Sequence, residues 1–194
     1  ISLGLVGSEM CIRDSLNSNR LLIGHFERSD LEQWFLIESD PEVRKYILDG
    51  SILNREQSLA YIDQNIDSYA KFNFGRYTLR EKKSLRLIGM CGFLKTEMGI
   101  DFGYRLSKDM WGCGLGFEAA NAVLNYGVDS IGLKHCVAGV MPGNLASIKI
   151  LDRLGFVYQK DVIFDGLTHH KYTFSADKNS VSYTHLTLPT IVSV

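Results

Sequence analysis

The stretch from Asp109 to Ala120 places a glycine at every second position and then passes at once into a helix-forming run. Gly112, Gly114 and Gly116 lack a Cβ, so the backbone can turn tightly there and bring successive N–H groups against a bulky ligand. The first turn of the following helix adds unpaired N–H donors and the positive end of the helix dipole. This combination predicts a cradle for an anion, usually a phosphate or a pyrophosphate.

Two common phosphate-binding motifs do not fit this spacing. A P-loop needs Gly-x-x-x-x-Gly-Lys-Ser/Thr, and no lysine follows these glycines. A dinucleotide fingerprint lies in the first βα turn of its unit, whereas this loop lies past the middle of the chain. A plain glycine-rich connection between a strand and a helix stays open as the alternative.

Length, charge and cysteine positions limit the class of protein to which the chain can belong. The chain has 194 residues, enough for one domain with a sizeable core, and its net charge of −1 gives no electrostatic case for binding nucleic acid or a membrane surface. Because no apolar run is long enough to span a bilayer, we expect a cytoplasmic location. Cys91 and Cys136 lie in apolar runs and Cys113 lies in the glycine loop, which predicts reduced thiols, and no cysteine pair has zinc-site spacing.

The two ends share a pattern in their codons. Met10 to Ser15 can be encoded as ATG TGT ATA AGA GAC AG, whose reverse complement reads in frame as Val181 to His185. Such an inverted repeat resembles the translated adapter of a sequencing library. We therefore predict that residues 1–15 and 177–194 are non-native tails around a single domain at 16–176.

Hydrophobic periodicity predicts a strand, helices, a β-meander, a helix, a strand, a helix and a β-hairpin, in that order. The capping-box pair Asn54 and Gln57 opens the longest early helix, and Asp165-Gly166 marks the hairpin turn. The predicted strands are 21–26, 75–79, 85–94, 100–106, 134–140, 156–163 and 167–174; the predicted helices lie near 31–37, 41–46, 55–69, 117–124 and 147–154. A mixed sheet with helices on its faces is the expected packing.

Four stretches in this order resemble the GNAT superfamily of acetyl-CoA-dependent N-acetyltransferases, and more narrowly its RimJ/RimL-type branch of ribosomal-protein N-terminal acetyltransferases. They are 20–23, 88–92, 100–106 leading into 111–119, and 144–147 with 154–156. The resemblance covers nearly everything between Asn19 and Ser175. It implies an α/β (α+β) fold with a mixed, mostly antiparallel central sheet and helices on both faces.

The resemblance also implies a ligand for the predicted anion cradle, namely the pyrophosphate of acetyl-CoA, with the pantetheine arm paired to the end of the third meander strand. The implied cofactor-binding residues are Tyr104, Arg105, Leu106, Trp111, Gly112, Cys113, Gly114, Leu115, Gly116, Phe117, Asn144 and Ser147. Most relatives carry Lys or Arg at the position of Cys113, so one favourable charge is missing here. No metal is implied.

Direct acetyl transfer needs a neutral amine, a base that removes its proton and a donor that stabilises the departing thiolate. Asp101 occupies the strand position where this branch usually has Glu, and it is the candidate base, acting through a water; a solvent-facing structural residue is the alternative. Ser147 is the candidate thiolate donor. Asn144 contacts the pantetheine or orders the strand splay, or it caps the second helix. Leu151 stands where many N-terminal acetyltransferases of other branches place a tyrosine acid.

The favoured acceptor is a protein N-terminal α-amine. A small cationic amine, such as a polyamine or an aminoglycoside, is the second possibility, because Glu38, Asp40, Glu42 and Asp49 would supply an acidic wall. A CoA-binding sensor domain without catalysis is the third. The expected protein is bacterial and a monomer or homodimer, with acetyl-CoA and an amine as partners.

Overall fold

The computed structural model describes residues 16–178. Within that range eight strands form one sheet in the order β1-β2-β3-β4-β5-β6-β8-β7. The strands are β1 Leu16–Asn17, β2 Leu21–Gly24, β3 Arg76–Glu81, β4 Leu87–Thr96, β5 Gly99–Leu106, β6 His135–Val140, β7 Val157–Phe164 and β8 Leu167–Ser175. The helices are α1 Leu31–Glu38, α2 Pro41–Arg44, α3 Arg55–Phe72, α4 Leu115–Asp129 and α5 Leu145–Arg153, with 3₁₀ turns at Arg28–Asp30, Lys108–Met110 and Ala176–Lys178.

Neighbouring strands of this sheet are antiparallel with one exception. β5 and β6 run parallel, because the chain passes through α4 between them. The mixed, mostly antiparallel sheet is therefore confirmed.

The helices cover both faces of the sheet, as predicted. On one face, α4 and α5 pack on the larger apolar core, where Phe102 stacks with Phe156 at 5.6 Å between ring centroids. On the other face, Trp34 of α1 and Ile62 of α3 form a smaller core with Met90 of β4. Because β5 lies in the middle of the sheet, its alternate side chains face these two environments in turn.

Local signals in the sequence set several element boundaries. The Asn54 side chain accepts a hydrogen bond from the Gln57 backbone amide at 2.8 Å, and the Gln57 side chain accepts one from the Asn54 backbone amide at 2.9 Å, so the predicted capping box opens α3. Asp165 (φ 48°) and Gly166 (φ 74°) connect β7 and β8, and two positive φ values are what a type I′ hairpin turn requires. The two-residue strand β1 has no such signal and was not predicted.

The predicted tails fall almost entirely outside the described residues, and so does the codon pattern at Met10 to Ser15 and Val181 to His185. They stay predictions. Among residues 16–178, no helix combines the length and the apolar character needed to cross a membrane.

Candidate active site

The glycine loop leaves a run of backbone donors without partners. Gly112 (φ 76°) and Gly114 (φ 81°) both lie in the left-handed region, and Gly114 is the N-cap of α4. The first amide to bond within the helix is that of Glu118, which donates to the Gly114 carbonyl at 3.1 Å. Among the described residues, no acceptor bonds the amides of 112–117. That these N–H groups and the N-terminal end of the α4 dipole bind an anion stays a prediction from the glycine spacing.

The side chains of the loop are held away from this row of amides. The Trp111 indole donates to the Leu106 carbonyl at 2.9 Å, and Leu115 is buried in the core. A Cβ on Gly116 would lie 3.2 Å from Ile150 of α5, so the missing side chain lets α4 and α5 pack closely. Phe117 lies under the Arg153 guanidinium at 3.7 Å from the ring centroid.

Arg20 is a functional candidate that sequence reasoning missed. Its guanidinium donates to the Cys113 carbonyl at 2.9 Å and to the Glu118 carboxylate at 2.7 Å, so one side chain ties the loop to the first turn of α4. A Cβ on Gly114 would lie 3.6 Å from its other terminal nitrogen. Arg20, the residue before β2, thus places a positive charge beside the glycine loop. The sequence held no local signal for this contact, because Arg20 and Glu118 are 98 residues apart.

Burial alone would raise the pKa of Glu118. The hydrogen bonds from the Ser18 hydroxyl and from the Arg20 amide and guanidinium outweigh burial and lower that pKa below its ordinary value of 4.5. The carboxylate is therefore ionised and holds Arg20 in place at neutral pH.

A gap opens between the two parallel strands. Asp101 of β5 and Val137 of β6 are the single paired position between these strands in the described structure, and beyond it the strands diverge. Alternate peptide groups of β5 after Asp101 therefore point into the gap, ready to bond an amide-bearing chain. In open sheets with parallel strands, ligands bind outside the carboxyl ends of those strands, and the glycine loop lies at this end of β5.

Tyr104, Ser147 and Asn144 meet on the α4–α5 side of the gap. The Tyr104 hydroxyl donates to the Ser147 carbonyl at 3.0 Å and lies 2.9 Å from the Ser147 hydroxyl. Asn144 caps α5 by accepting from the Ser147 amide at 3.2 Å, which agrees with the capping alternative. Burial raises the pKa of Tyr104 above its ordinary value, with the Ser147 bond opposing that shift, so the phenol keeps its proton at neutral pH.

Asp101 lies on the opposite face of β5, towards α1–α3, and is partly buried. Its carboxylate forms an ion pair with the guanidinium of Arg76 from β3. Burial lowers the pKa of Arg76, but the charge of Asp101 and the hydrogen bond between them outweigh burial and raise it. One oxygen of the ion pair, Asp101 Oδ1, has no protein partner among the described residues. The candidate base is thus a paired carboxylate with one free oxygen.

Of the four carboxylates in the acidic wall envisaged for a cationic acceptor, only Glu38 forms ion pairs among the described residues. Glu38 is fully buried, with Arg44 on one oxygen at 3.1 Å and Arg105 on the other. Asp40 caps α2 by accepting from the Glu42 amide at 2.9 Å, and Asp49 accepts from the Ser51 hydroxyl at 2.7 Å. Three of the four carboxylates are therefore already engaged within the protein.

Two further features border this region. Tyr46 lies against the β6–α5 connection, where a Cβ on Gly143 would come within 3.2 Å of its ring. A cavity of about 480 Å³ opens between the helices α1 and α2, including Ile37 and Val43, and the segment Ser107–Asp109 that leads into the glycine loop.

The cysteines and the possible metal ligands were compared with the requirements of thiolate and metal chemistry. In residues 16–178 the three cysteines are free: Cys91 and Cys136 are buried and Cys113 is exposed. Burial raises the pKa of Cys136 to about 12 and that of Cys91 further, so neither forms a thiolate at neutral pH. The same residues contain no group of three or more His, Cys, Asp or Glu that could hold a metal ion.

Comparison with known proteins identifies this architecture. A family model described as "Acetyltransferase (GNAT) domain" matches residues 20–157, which include the loop, the gap and the start of β7. The chain belongs to the GNAT family of acetyltransferases. An uncharacterized N-acetyltransferase, p20 of Bacillus licheniformis, is 32% identical over 146 residues, which are 74% of this chain and 82% of p20.

Solved structures show the same GNAT fold. A putative GnaT-family acetyltransferase from Bordetella pertussis superposes with a TM-score of 0.74 at 25% identity, covering 83% of this chain and 99% of that one. RimL, a ribosomal L7/L12 alpha-N-protein acetyltransferase in complex with coenzyme A, gives a TM-score of 0.72 at 14% identity, covering 84% and 99%. Enzymes of this family use acetyl-CoA as the acetyl donor. The roles of individual site residues in this GNAT chain stay predictions.

Replacing Gly114 by Val tests the anion cradle. We expect loss of acetyl-CoA binding, because a branched side chain at φ 81° forces the backbone out of the left-handed region and blocks approach to the loop amides. Gly132→Val is the matched control, since Gly132 has a φ of 79° with nothing within 4 Å of an added Cβ and lies after α4. Calorimetric titration should show binding lost in the first variant and retained in the second. Equal acetyl-CoA affinity in the two variants would contradict the cradle.

Replacing Glu118 by Gln tests the Arg20 contact through pH. Because the folded pKa of Glu118 is depressed, its stabilisation is present above about pH 4.5 and disappears as the pH falls through the lower folded value. We expect the variant to lose about 1 kcal/mol of unfolding free energy at neutral pH and little at about pH 3. Urea unfolding at both pH values measures this. Glu97→Gln, in the exposed β4–β5 turn, should show no such difference, and a pH-independent loss in Glu118→Gln would argue against the ion pair.

Proposed function

We propose that this GNAT acetyltransferase transfers the acetyl group of acetyl-CoA to the α-amine of a protein N terminus. We base the choice of acceptor on the charge of the β5 face that holds Asp101. Arg76 and Arg105 place guanidinium groups there, and the carboxylate of Glu38 is consumed by ion pairs. A multiply charged cationic amine would meet repulsion on this face instead of an acidic pocket.

The same charges favour an α-amine for a chemical reason. Attack on a thioester needs a neutral amine, and nearby positive charge lowers the pKa of an ammonium group. An α-amine has an ordinary pKa of about 8 and a lysine-like amine one of about 10.4, so the α-amine is far more readily neutral at physiological pH. A site with guanidinium groups and a paired carboxylate therefore suits the less basic acceptor.

The fold shared with RimL supports this acceptor by analogy, because RimL is described as an alpha-N-protein acetyltransferase. At 14% identity the shared fold does not decide the substrate. The cytoplasmic location, the bacterial source and the monomeric or dimeric state that accompany this proposal also stay predictions.

In the proposed reaction, the amides of 112–117 bind the coenzyme pyrophosphate and the free edge of β5 binds the pantetheine arm. Asp101 accepts the amine proton through Oδ1, directly or through a water, while Arg76 fixes the carboxylate. On the opposite face, the Ser147 hydroxyl, held by Tyr104, donates to the leaving thiolate. Tyr104 thereby has a positioning role, since its hydroxyl lies 2.9 Å from that of Ser147 and orients it.

An acceptor panel tests the proposal. With acetyl-CoA as donor, we expect thiol release with peptides that have a free N terminus, and none with the same peptides blocked at the N terminus, with spermidine or with kanamycin. A preference for spermidine or kanamycin would establish the small-amine alternative. Binding of acetyl-CoA without thiol release from any amine would establish the sensor alternative.

Replacing Asp101 by Asn tests the base. The amide keeps a side chain of the same shape but removes the proton acceptor, so we expect kcat to fall by about a hundredfold with unchanged acetyl-CoA affinity. The shape of the pH–rate profile should change with it, which a merely structural role of the ion pair would not cause. Asp129→Asn, at the exposed end of α4, is the control. An unaltered pH–rate profile in Asp101→Asn would remove Asp101 from the mechanism.

A further inference from the structure

Five charged side chains are clustered on the sheet face covered by α1–α3. Glu38, Arg44, Arg76 and Arg105 have side chains at most 9% exposed, and that of Asp101 is 25% exposed. The cluster holds three guanidinium groups and two carboxylates, so it carries one uncompensated positive charge. Asp30 and Arg80, also on this face, form a separate balanced pair and do not change the sum.

The pairing shows where the excess charge lies. Within the cluster, Asp101 forms an ion pair with Arg76, whereas Arg44 and Arg105 share the single carboxylate of Glu38. The Arg105 Nε is buried and has no hydrogen-bond partner among the described residues. Burial and repulsion by Arg105 lower the pKa of Arg44, which is the direction expected when two cations share one anion. Asp49 attracts Arg44 as well, but it is exposed and bonded to Ser51.

Internal contacts offset only part of the cost of such an arrangement: the Arg105 guanidinium lies over the rings of Trp34, at 5.7 Å, and Tyr61, at 6.0 Å. A buried ion pair contributes little net stability compared with well-packed apolar residues, and a buried charge without a counterion is destabilising. An unsatisfied buried donor adds a further cost. An anion that a ligand brings near the cluster would offset its excess positive charge, which gives the cluster a role in binding.

The position of the charges indicates which ligand, the coenzyme or the acceptor, they would act on. A Cβ on Gly103 would lie 3.0 Å from the Arg76 guanidinium, and Arg105 follows two residues later on the same face of β5, about 7 Å along the strand. The positive charges thus lie buried beneath the face of β5 that carries Asp101, whereas the coenzyme pyrophosphate site is at the N terminus of α4. The acceptor is therefore the ligand that meets them.

We propose that the preferred acceptor carries a carboxylate close to its reactive amine, as in a protein N terminus with Asp or Glu at position two or three. This inference rests on the proposed function and narrows it. The carboxylate compensates the charge shared by Arg44 and Arg105, while the amine lies near Asp101. Acidic N-terminal segments are thus distinguished from neutral ones by their electrostatic interaction with the cluster.

A charge series tests this inference. Two decapeptides that differ only in Asp against Asn at position two serve as probes, and the ratio of their kcat/KM values is measured for each enzyme. We expect the wild type to favour the Asp peptide by about tenfold, as one unit charge in a partly desolvated site implies. Arg44→Gln makes the cluster neutral and should bring the ratio to about one, while Glu38→Gln adds a positive charge and should raise it further. Arg44→Lys keeps the charge and should keep the preference.

A structural role alone would not shift the ratio in opposite directions in the two glutamine variants. Thermal unfolding of each variant shows whether it folds, and if Arg44→Gln does not fold, the wild type, Arg44→Lys and Glu38→Gln still decide the matter. Equal rates with the Asp and Asn peptides in the wild type, or a ratio that does not follow the cluster charge, would overturn the inference and leave the proposed function intact. Failure of the wild type to acetylate either peptide would overturn the proposed function itself.

Discussion

The candidate active site depends on a row of main-chain amides at the start of α4 that have no acceptor among the described residues. Glycines with positive φ at positions 112 and 114 turn these N–H groups outward, and the helix dipole adds to their field. A contact from outside the loop holds this turn. Arg20 does this by holding the Cys113 carbonyl and the Glu118 carboxylate together. The anion site is therefore set by backbone geometry and by one long-range ion pair.

The divergence of β5 and β6 leaves an edge of β5 open next to this site. The single paired position at Asp101 leaves the rest of β5 as a free edge that leads from the glycine loop into the sheet. The two faces of that strand differ in chemistry: Tyr104 and Ser147 present hydroxyl groups on one face, and Asp101, Arg76 and Arg105 present charges on the other. Proton removal from an amine and protonation of a leaving thiolate can therefore be kept apart across the gap.

Local sequence signals were sufficient to predict the helix starts and turns, but not the ion pairs between distant residues. The capping box at Asn54, the turn at Asp165-Gly166 and the glycine spacing each act within a few residues, so each predicted its structure correctly. The ion pairs depend on residues far apart in the chain that only the folded sheet brings together. For that reason Glu38 was expected in an acidic wall, whereas it is buried between Arg44 and Arg105. Arg20 lay within a recognised stretch but had no assigned role.

The most direct measurement is an amide NMR titration of the uniformly labelled protein with coenzyme A. We expect the largest chemical-shift changes at the backbone amides of 112–117. Inorganic pyrophosphate, which lacks the pantetheine arm, should shift the same amides without affecting β5. Changes confined to other residues, with the loop amides unmoved, would contradict this expectation.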